Sequence, residues 1–269
     1  LHEAAKRPLQ TLPHARIGVA PHSLRAVDGE SLTRVVEMFG DGPIHLHVAE
    51  QVKEVADCRA ATGTTPVAWL LDHLPVDERW CAIHATHMTP DETERLAKTG
   101  AVVGLCPQTE ANLGDGVFDG ARFLFAGGRF GIGSDSNIRV DAAEELRTLE
   151  YGQRLRDRAR NVLAKGGVST GRTLLERACR DGARAIGRDA GTLAVGRLAD
   201  IVSLAPEHPS LAGRSEDGAI DAWIFCGDQS LIQHVWVAGR QLVRDGRHPR
   251  RAEIAMRFRS AMRGLLERI

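Results

Sequence analysis

Through the first two thirds of the chain, short apolar runs alternate with longer stretches whose apolar residues recur at helical spacing. The runs at 17–20, 44–49, 80–84, 101–106 and 130–133 are predicted strands, and the stretches at 31–39, 52–61, 66–73, 90–98 and 142–158 predicted helices. Strand–helix alternation with connections of this length demands parallel strands joined by helical crossovers, so the chain is α/β. One helix start is written out in full. Thr89 can cap it, Pro90 suits its first turn, Glu92 three residues on completes a capping box, and Gly100 stops it.

After a further helix at 173–186 the texture changes. GTLAVGRLADIVSLA and DAWIFCGDQSLIQHVWVAGRQLVRDGR read as short strands with Gly-rich turns, which predicts a small all-β unit over 190–248. Residues 249–269 form a basic amphipathic segment, expected to be a packed terminal helix. The expected organisation is therefore a (β/α) unit over 1–189, the β unit over 190–248 and a helix over 249–269.

Composition narrows the partners. The 35 Lys and Arg balance 35 Asp and Glu, which gives no electrostatic footprint for nucleic acid or an anionic membrane. No apolar run approaches the ~20 residues that span a bilayer, and the first residues lack the layout of a signal peptide. The five cysteines are scattered without a C-x-x-C pair, so neither a disulfide framework nor a cysteine zinc site is expected. These features place the chain among soluble cytoplasmic proteins acting on small molecules, with a homodimer left open.

Polar residues gather where such a fold would use them. Four of the five strands carry a chemically capable residue at or just past the C-terminal end: PHSLR (His22, Arg25), PIHLHVAEQ (His47, Glu50), CAIHATH (His84, His87) and GIGSDSN (Asp135). In a (β/α)₈ barrel that edge builds the active site. Imidazole and carboxylate both bind Zn²⁺, which lowers the pKa of its water toward neutrality. A carboxylate beside that water can move a proton to an amine leaving group, and a free His can stabilise developing charge.

The ordinary readings compete at each position. His45 and His47 could be the outward half of an alternating strand. Asp135 could cap a helix, Glu50 could be a first-turn helix charge, and Arg25 a solvent-facing loop cation. His87 competes with His84, which is favoured for its strand-end place. Cys106 reads as buried filler. GVFDGARFLFAGG has neither the P-loop Lys nor G-x-G-x-x-G spacing and is expected to be a turn and a short helix.

His47-x-x-Glu50, His84 and Asp135 resemble the later motifs of the amidohydrolase superfamily in its deaminase branch. GVAPHSLRAV, HLHVAEQ, LCPQTEANLGDG and GIGSDSN narrow the match to the formimidoylglutamate deiminases, which hydrolyse N-formimino-L-glutamate to N-formyl-L-glutamate and ammonia in histidine degradation. The resemblance spans most of residues 15–245. It implies a distorted TIM-type barrel with a β-sandwich domain and one divalent metal, zinc or alternatively Fe²⁺. It implies His47 and Asp135 as metal ligands, with Asp135 also deprotonating the water, Glu50 as proton shuttle and His84 as the substrate-polarising group. It implies His22 and Arg25 as substrate ligands, Arg25 offering its planar fork to a carboxylate. Thr109, Glu110 and Asn112 belong to the pocket wall without individual roles, and His45 is a supporting or packing residue. A related aminohydrolase acting on a purine, pterin or triazine ring is the alternative, against which stands an aromatic content of 4%. A non-catalytic fragment with a structural role is the alternative of another class.

One departure stands out. The family carries an H-x-H metal pair on its first barrel strand, whereas the H-x-H here is His45–Leu46–His47. His84 lies 37 positions beyond His47 and Asp135 51 beyond His84, spacing that fits the fifth, sixth and eighth strands. The chain thus reads as the C-terminal part of a longer protein. Alone it is expected to bind Zn²⁺ weakly and to show no turnover.

Overall fold

The computed structural model describes residues 2–9, 11–12, 14–39 and 41–268. In chain order the elements are α1 (His2–Leu9), α2 (Gly29–Met38), β1 (Ile44–Val48), α3 (Val52–Thr62), α4 (Pro66–His73), β2 (Trp80–His84), α5 (Pro90–Lys98), β3 (Val102–Leu105), α6 (Pro107–Leu113), α7 (Gly120–Phe125), β4 (Arg129–Ile132), α8 (Ala142–Asp157), α9 (Thr170–Ala185), β5 (Ile201–Leu204), α10 (Glu216–Cys226), β6 (Ile232–Val237), β7 (Arg240–Val243) and α11 (Arg251–Leu266).

The four strands β1–β2–β3–β4 pair in sequence order, every neighbour parallel, as the crossover pattern requires. The register sets His45 beside Cys81 and His47 beside Ile83, so both histidines share one face with the inward residues of β2. The opposite face of β1 (Ile44, Leu46 and Val48) is buried with Leu70, Trp80 and Leu96 in the main core. Each fully buried Leu or Ile there contributes roughly 1.5–3 kcal/mol. The capping box on α5 forms as read, and Glu92 also accepts hydrogen bonds from Thr65 Oγ1 and Ala68 N, which ties α5 to the start of α4. Four of the five expected strands are present, at or within a few residues of their predicted bounds.

The expected strand at 17–20 is a correction. The segment runs parallel along β1 with bridges only at Val19–Ile44 and Ser23–His47. Pro21 has no N–H to donate to a ladder, and His22 turns left-handed at φ 62°, so regular pairing is broken there. His45 N still donates to Val19 O and His47 N to His22 O, and the sheet edge is covered.

The segment over 190–248 is not all-β. β5–β6–β7 form one antiparallel sheet, but AIDAWIFC lies in helix α10, which packs on α8 and α9 rather than on that sheet. Its apolar residues run in a near-continuous block, the pattern that cannot tell a buried helix from a buried strand. The second, facing sheet of a sandwich is not seen among the described residues. The terminal helix α11 forms, yet none of its described residues is buried, contrary to the packed helix expected. Among the described residues no helix is long and apolar enough to cross a membrane.

Candidate active site at the carboxyl edge of the parallel sheet

The carboxyl ends of the strands are marked by backbone that side chains other than glycine rarely adopt. His22 (φ 62°), Ala49 (52°), His84 (71°), Ala85 (49°) and Asp135 (52°) are all left-handed. Such residues cost about 1–3 kcal/mol each and persist only where the surroundings over-determine them. Here they turn the chain sharply just past β1 and β4, at the end of β2, and at His22 on the segment beside β1.

His84 is the centre of the group. Its side chain is buried, with Nδ1 3.2 Å from Glu110 Oε1 and Nε2 3.7 Å from Glu50 Oε1 and 3.6 Å from Asp135 Oδ2. Nε2 itself has no hydrogen-bond partner. Burial alone would depress the His84 pKa; the hydrogen bond and charge of Glu110, then the charges of Glu50 and Asp135, outweigh it and hold the pKa above the ordinary histidine value. His87 is not a rival, since its Nε2 lies 2.7 Å from the carbonyl of Asp115 in the loop after α6.

Glu50 is 9% exposed and precedes α3, turned inward rather than lying along the helix as a solvated charge. Its Oε2 accepts from Arg25 Nη2 at 2.6 Å, so Arg25, exposed as it is, is a paired cation rather than a free loop charge. Arg25 Nε also sits 3.8 Å from Glu54 Oε2. Asp135 caps no helix. Its Oδ1 accepts from Ser136 N, and α8 begins at Ala142 under the cap of Asp141.

His47 and His22 flank this group. The His47 ring centroid lies 5.7 Å from that of His84 and 5.0 Å from that of His22. His47 Nδ1 pairs with the His22 carbonyl at 3.0 Å, which leaves Nε2 as the open nitrogen, the arrangement usual for a metal-ligating histidine. His22 Nδ1 is taken up by Ser23 Oγ at 2.8 Å. His45 meets none of them; its Nε2 pairs with Ala185 O at the end of α9, a packing contact.

The donor set fits a divalent cation in kind: imidazole nitrogens with carboxylates, one buried nitrogen without a partner and, among the described residues, Arg25 as the cation paired with Glu50. Among the described residues, the donors whose atoms all lie within 4.8 Å of one another are those of His84, Cys106 and Asp135, and His47 is not in that group. Burial, reinforced by Glu110, Asp135 and Glu145, pushes the Cys106 thiol far up, which makes it a poor ligand beside an imidazole and a carboxylate.

Two buried glutamates, Glu54 and Glu145, were missed as functional supports, and a third, Glu110, was given only a place in the pocket wall. Glu54 accepts from Ala49 N and Glu50 N, both at 2.9 Å, and so fixes the left-handed turn that aims Glu50. Glu110 Oε1 accepts from Cys106 N at 2.9 Å as well as meeting His84. Glu145 on α8 accepts from Gln108 N at 3.0 Å and holds the start of α6. Thr109 Oγ1 donates to Ser134 O, tying α6 to the loop that carries Asp135. The available signal was a glutamate four residues after a strand-end residue, Glu50 to Glu54 and Cys106 to Glu110, placed to reach back to a free N–H.

With this geometry in hand, comparison with known proteins decides the family. The model of the amidohydrolase family matches residues 10–242.

The chain belongs to the amidohydrolase family.

Formimidoylglutamate deiminase of Pseudomonas aeruginosa is 46% identical over 99% of the chain and 59% of that protein. A 5-methylthioadenosine/S-adenosylhomocysteine deaminase of Moorella thermoacetica is 34% identical over 85% of the chain and 53% of that protein. Among solved structures, an amidohydrolase from Brucella melitensis superposes with a TM-score of 0.93 at 50% identity, covering 99% of this chain and 59% of the other. An adenosine deaminase from Xanthomonas campestris with bound zinc gives 0.82 at 26% identity, covering 93% and 57%. The chain thus spans between half and three fifths of the length of these amidohydrolase relatives.

Proposed function

We propose that this chain carries the later-strand side of a hydrolytic deiminase site, with N-formimino-L-glutamate as substrate. The observation that supports it most is the convergence of Glu50 and Asp135 on the unpartnered His84 Nε2, with the Arg25 guanidinium on Glu50. His47 and Asp135 would hold a divalent metal, zinc in the first instance. When bound, that ion makes a water molecule acidic enough to attack at neutral pH.

In this reading Asp135 takes a proton from the attacking water and Glu50 carries a proton to the departing nitrogen. His84 polarises the substituent of the attacked carbon, its Nε2 accepting a hydrogen bond from the N–H there. The water oxygen bonds to the formimino carbon, the bond from that carbon to its terminal nitrogen breaks, and ammonia leaves with N-formyl-L-glutamate as the other product. Arg25 and His22 receive the substrate carboxylates. The same edge in a ring deaminase would need a stacking surface for a planar base, and Arg25 occupies the near side instead.

Zinc hydrolysis uses three or more protein donors, and this reading draws two from the described residues. The test is therefore run on the chain alone and on a polypeptide in which an upstream strand supplies an H-x-H pair. With zinc present, the second is expected to release ammonia from N-formimino-L-glutamate and not from 5′-methylthioadenosine, and the first to do neither. Ammonia from the nucleoside alone would replace this reading with the ring-deaminase one.

A further inference from the structure

The site described so far contains one buried carboxylate whose contact with the reacting group has no assigned purpose. Glu110 is 5% exposed, lies on the buried face of α6, and directs a single oxygen, Oε1, at both Cys106 N and His84 Nδ1. We propose that Glu110 is a positioning residue: it fixes the His84 ring with its proton on Nδ1 and so presents Nε2, bare and oriented, to the space shared by Glu50 and Asp135.

A neutral imidazole carries one proton, and the nitrogen that keeps it is set by the hydrogen bond the other can make. His84 Nε2 faces two carboxylates, acceptors that would draw the proton to that side in the absence of a competitor. Glu110 is the competitor. It is closer, at 3.2 Å against 3.6 and 3.7 Å, and it is held from behind by Cys106 N. The backbone closes the other degree of freedom. His84 and Ala85 are both left-handed, and Ala85 N donates to Val48 O and Ile83 O, so the Cα–Cβ direction is fixed while Glu110 fixes the rotation of the ring.

Glu110 could instead serve only to satisfy the N–H at the joint between β3 and α6. The two roles separate cleanly because glutamine keeps the oxygen that Cys106 N requires. The proposal rests on the deiminase reading only for what His84 does to substrate; the proton's position on the ring can be read without substrate or metal. The experiment uses the metal-free chain labelled with ¹⁵N-histidine at pH about 9, well above the ordinary imidazole value of ~6.5. Long-range ¹⁵N–¹H correlations report which nitrogen is protonated, and His84→Asn identifies the resonance.

The expected wild-type result is a proton on Nδ1, resonating downfield as a carboxylate-bonded N–H does. Glu110→Gln should keep the proton on Nδ1 but move it upfield, and Glu110→Ala should transfer it wholly or partly to Nε2. In the polypeptide supplied with an H-x-H pair, Glu110→Gln should lower kcat on the order of 10–100-fold, as loss of a carboxylate behind a working histidine does, with KM unchanged. A proton on Nε2 in the wild type, or one that stays on Nδ1 in a folded Glu110→Ala protein, overturns the proposal. Should Glu110→Ala not fold, an unshifted Nδ1–H in Glu110→Gln overturns it as surely.

Discussion

Two regions of this molecule place ordinary side chains in left-handed backbone, and they do so to opposite ends. At the carboxyl edge of β1–β4, buried Glu54 takes up the N–H groups of left-handed Ala49 and of Glu50, and buried Glu110 takes up the Cys106 N–H and meets the ring of left-handed His84. In the β6–β7 hairpin, Ala238 (φ 48°) and Gly239 (φ 79°) form the two-residue connection whose twist matches its strands. One region bears the conformational cost in order to aim acids and imidazoles at a point; the other bears it to turn a corner. Local strain becomes evidence of chemistry only when buried polar groups hold it from beneath.

The largest effect that would sharpen the contrast is chemical. Glu50→Gln in the polypeptide supplied with an H-x-H pair should cost kcat about 10²–10⁴-fold, the usual contribution of a positioned acid–base, while circular dichroism stays native. A variant with full turnover would reduce the edge to architecture. Next in size is Arg25→Met, which should raise KM for formimino-glutamate roughly 10–100-fold, the equivalent of losing a charge-assisted pair worth ~1.5–3 kcal/mol. Initial-rate kinetics at fixed ionic strength decide it.

A smaller effect tests the foundations under the edge. Burial pushes the Glu145 carboxyl up to about 7 from its ordinary 4.5, against the pull of the Gln108 N–H and with help from Glu110, Glu144 and Asp141. A carboxyl whose folded value is raised favours the protonated native state, so stability should fall as pH rises from 4.5 to about 7 and level off above. Denaturant melts across that window should show the fall in the wild type and a flatter profile in Glu145→Gln. The smallest effect belongs to the hairpin. Ala238→Gly relieves the left-handed alanine and should stabilise the fold by up to about 1 kcal/mol without touching catalysis. Any loss of activity there would break the comparison.

What could be read in the sequence, and what could not, divides along the same line. β1 to β4 were legible because their apolar runs and flanking caps leave one consistent register, and Thr89–Glu92 announced α5 outright. That Glu50, His84 and Asp135 gather at one edge, with His47 stacked beside them, was legible because a strand end is a poor place for a polar residue without a purpose. The run at 17–20 was misread as a regular strand because its apolar residues give no sign that the chain turns left-handed at His22, although Pro21 should have. α10 was misread because its block of apolar residues fits a buried strand as well as a helix packed on α8 and α9. Glu54 and Glu145 drew no reading and Glu110 only a place in the pocket wall, since a sequence shows that a glutamate begins a helix and not that the helix has carried it under the sheet edge.

The short contact between Arg25 and Glu50 makes substrate recognition an exchange of partners. On the deiminase reading, an incoming carboxylate meets a guanidinium whose Nη2 is already engaged, and it competes with Glu50 for that donor. The gain is then the difference between two similar pairs, which keeps affinity modest and weakens its dependence on salt. The displaced partner is the same carboxylate that has to move a proton. A neutral molecule of the right shape could enter and still find Glu50 engaged, whereas an anionic one sets it free on arrival. Discrimination would then lie in whether the machinery is released, and measured affinities alone would understate it.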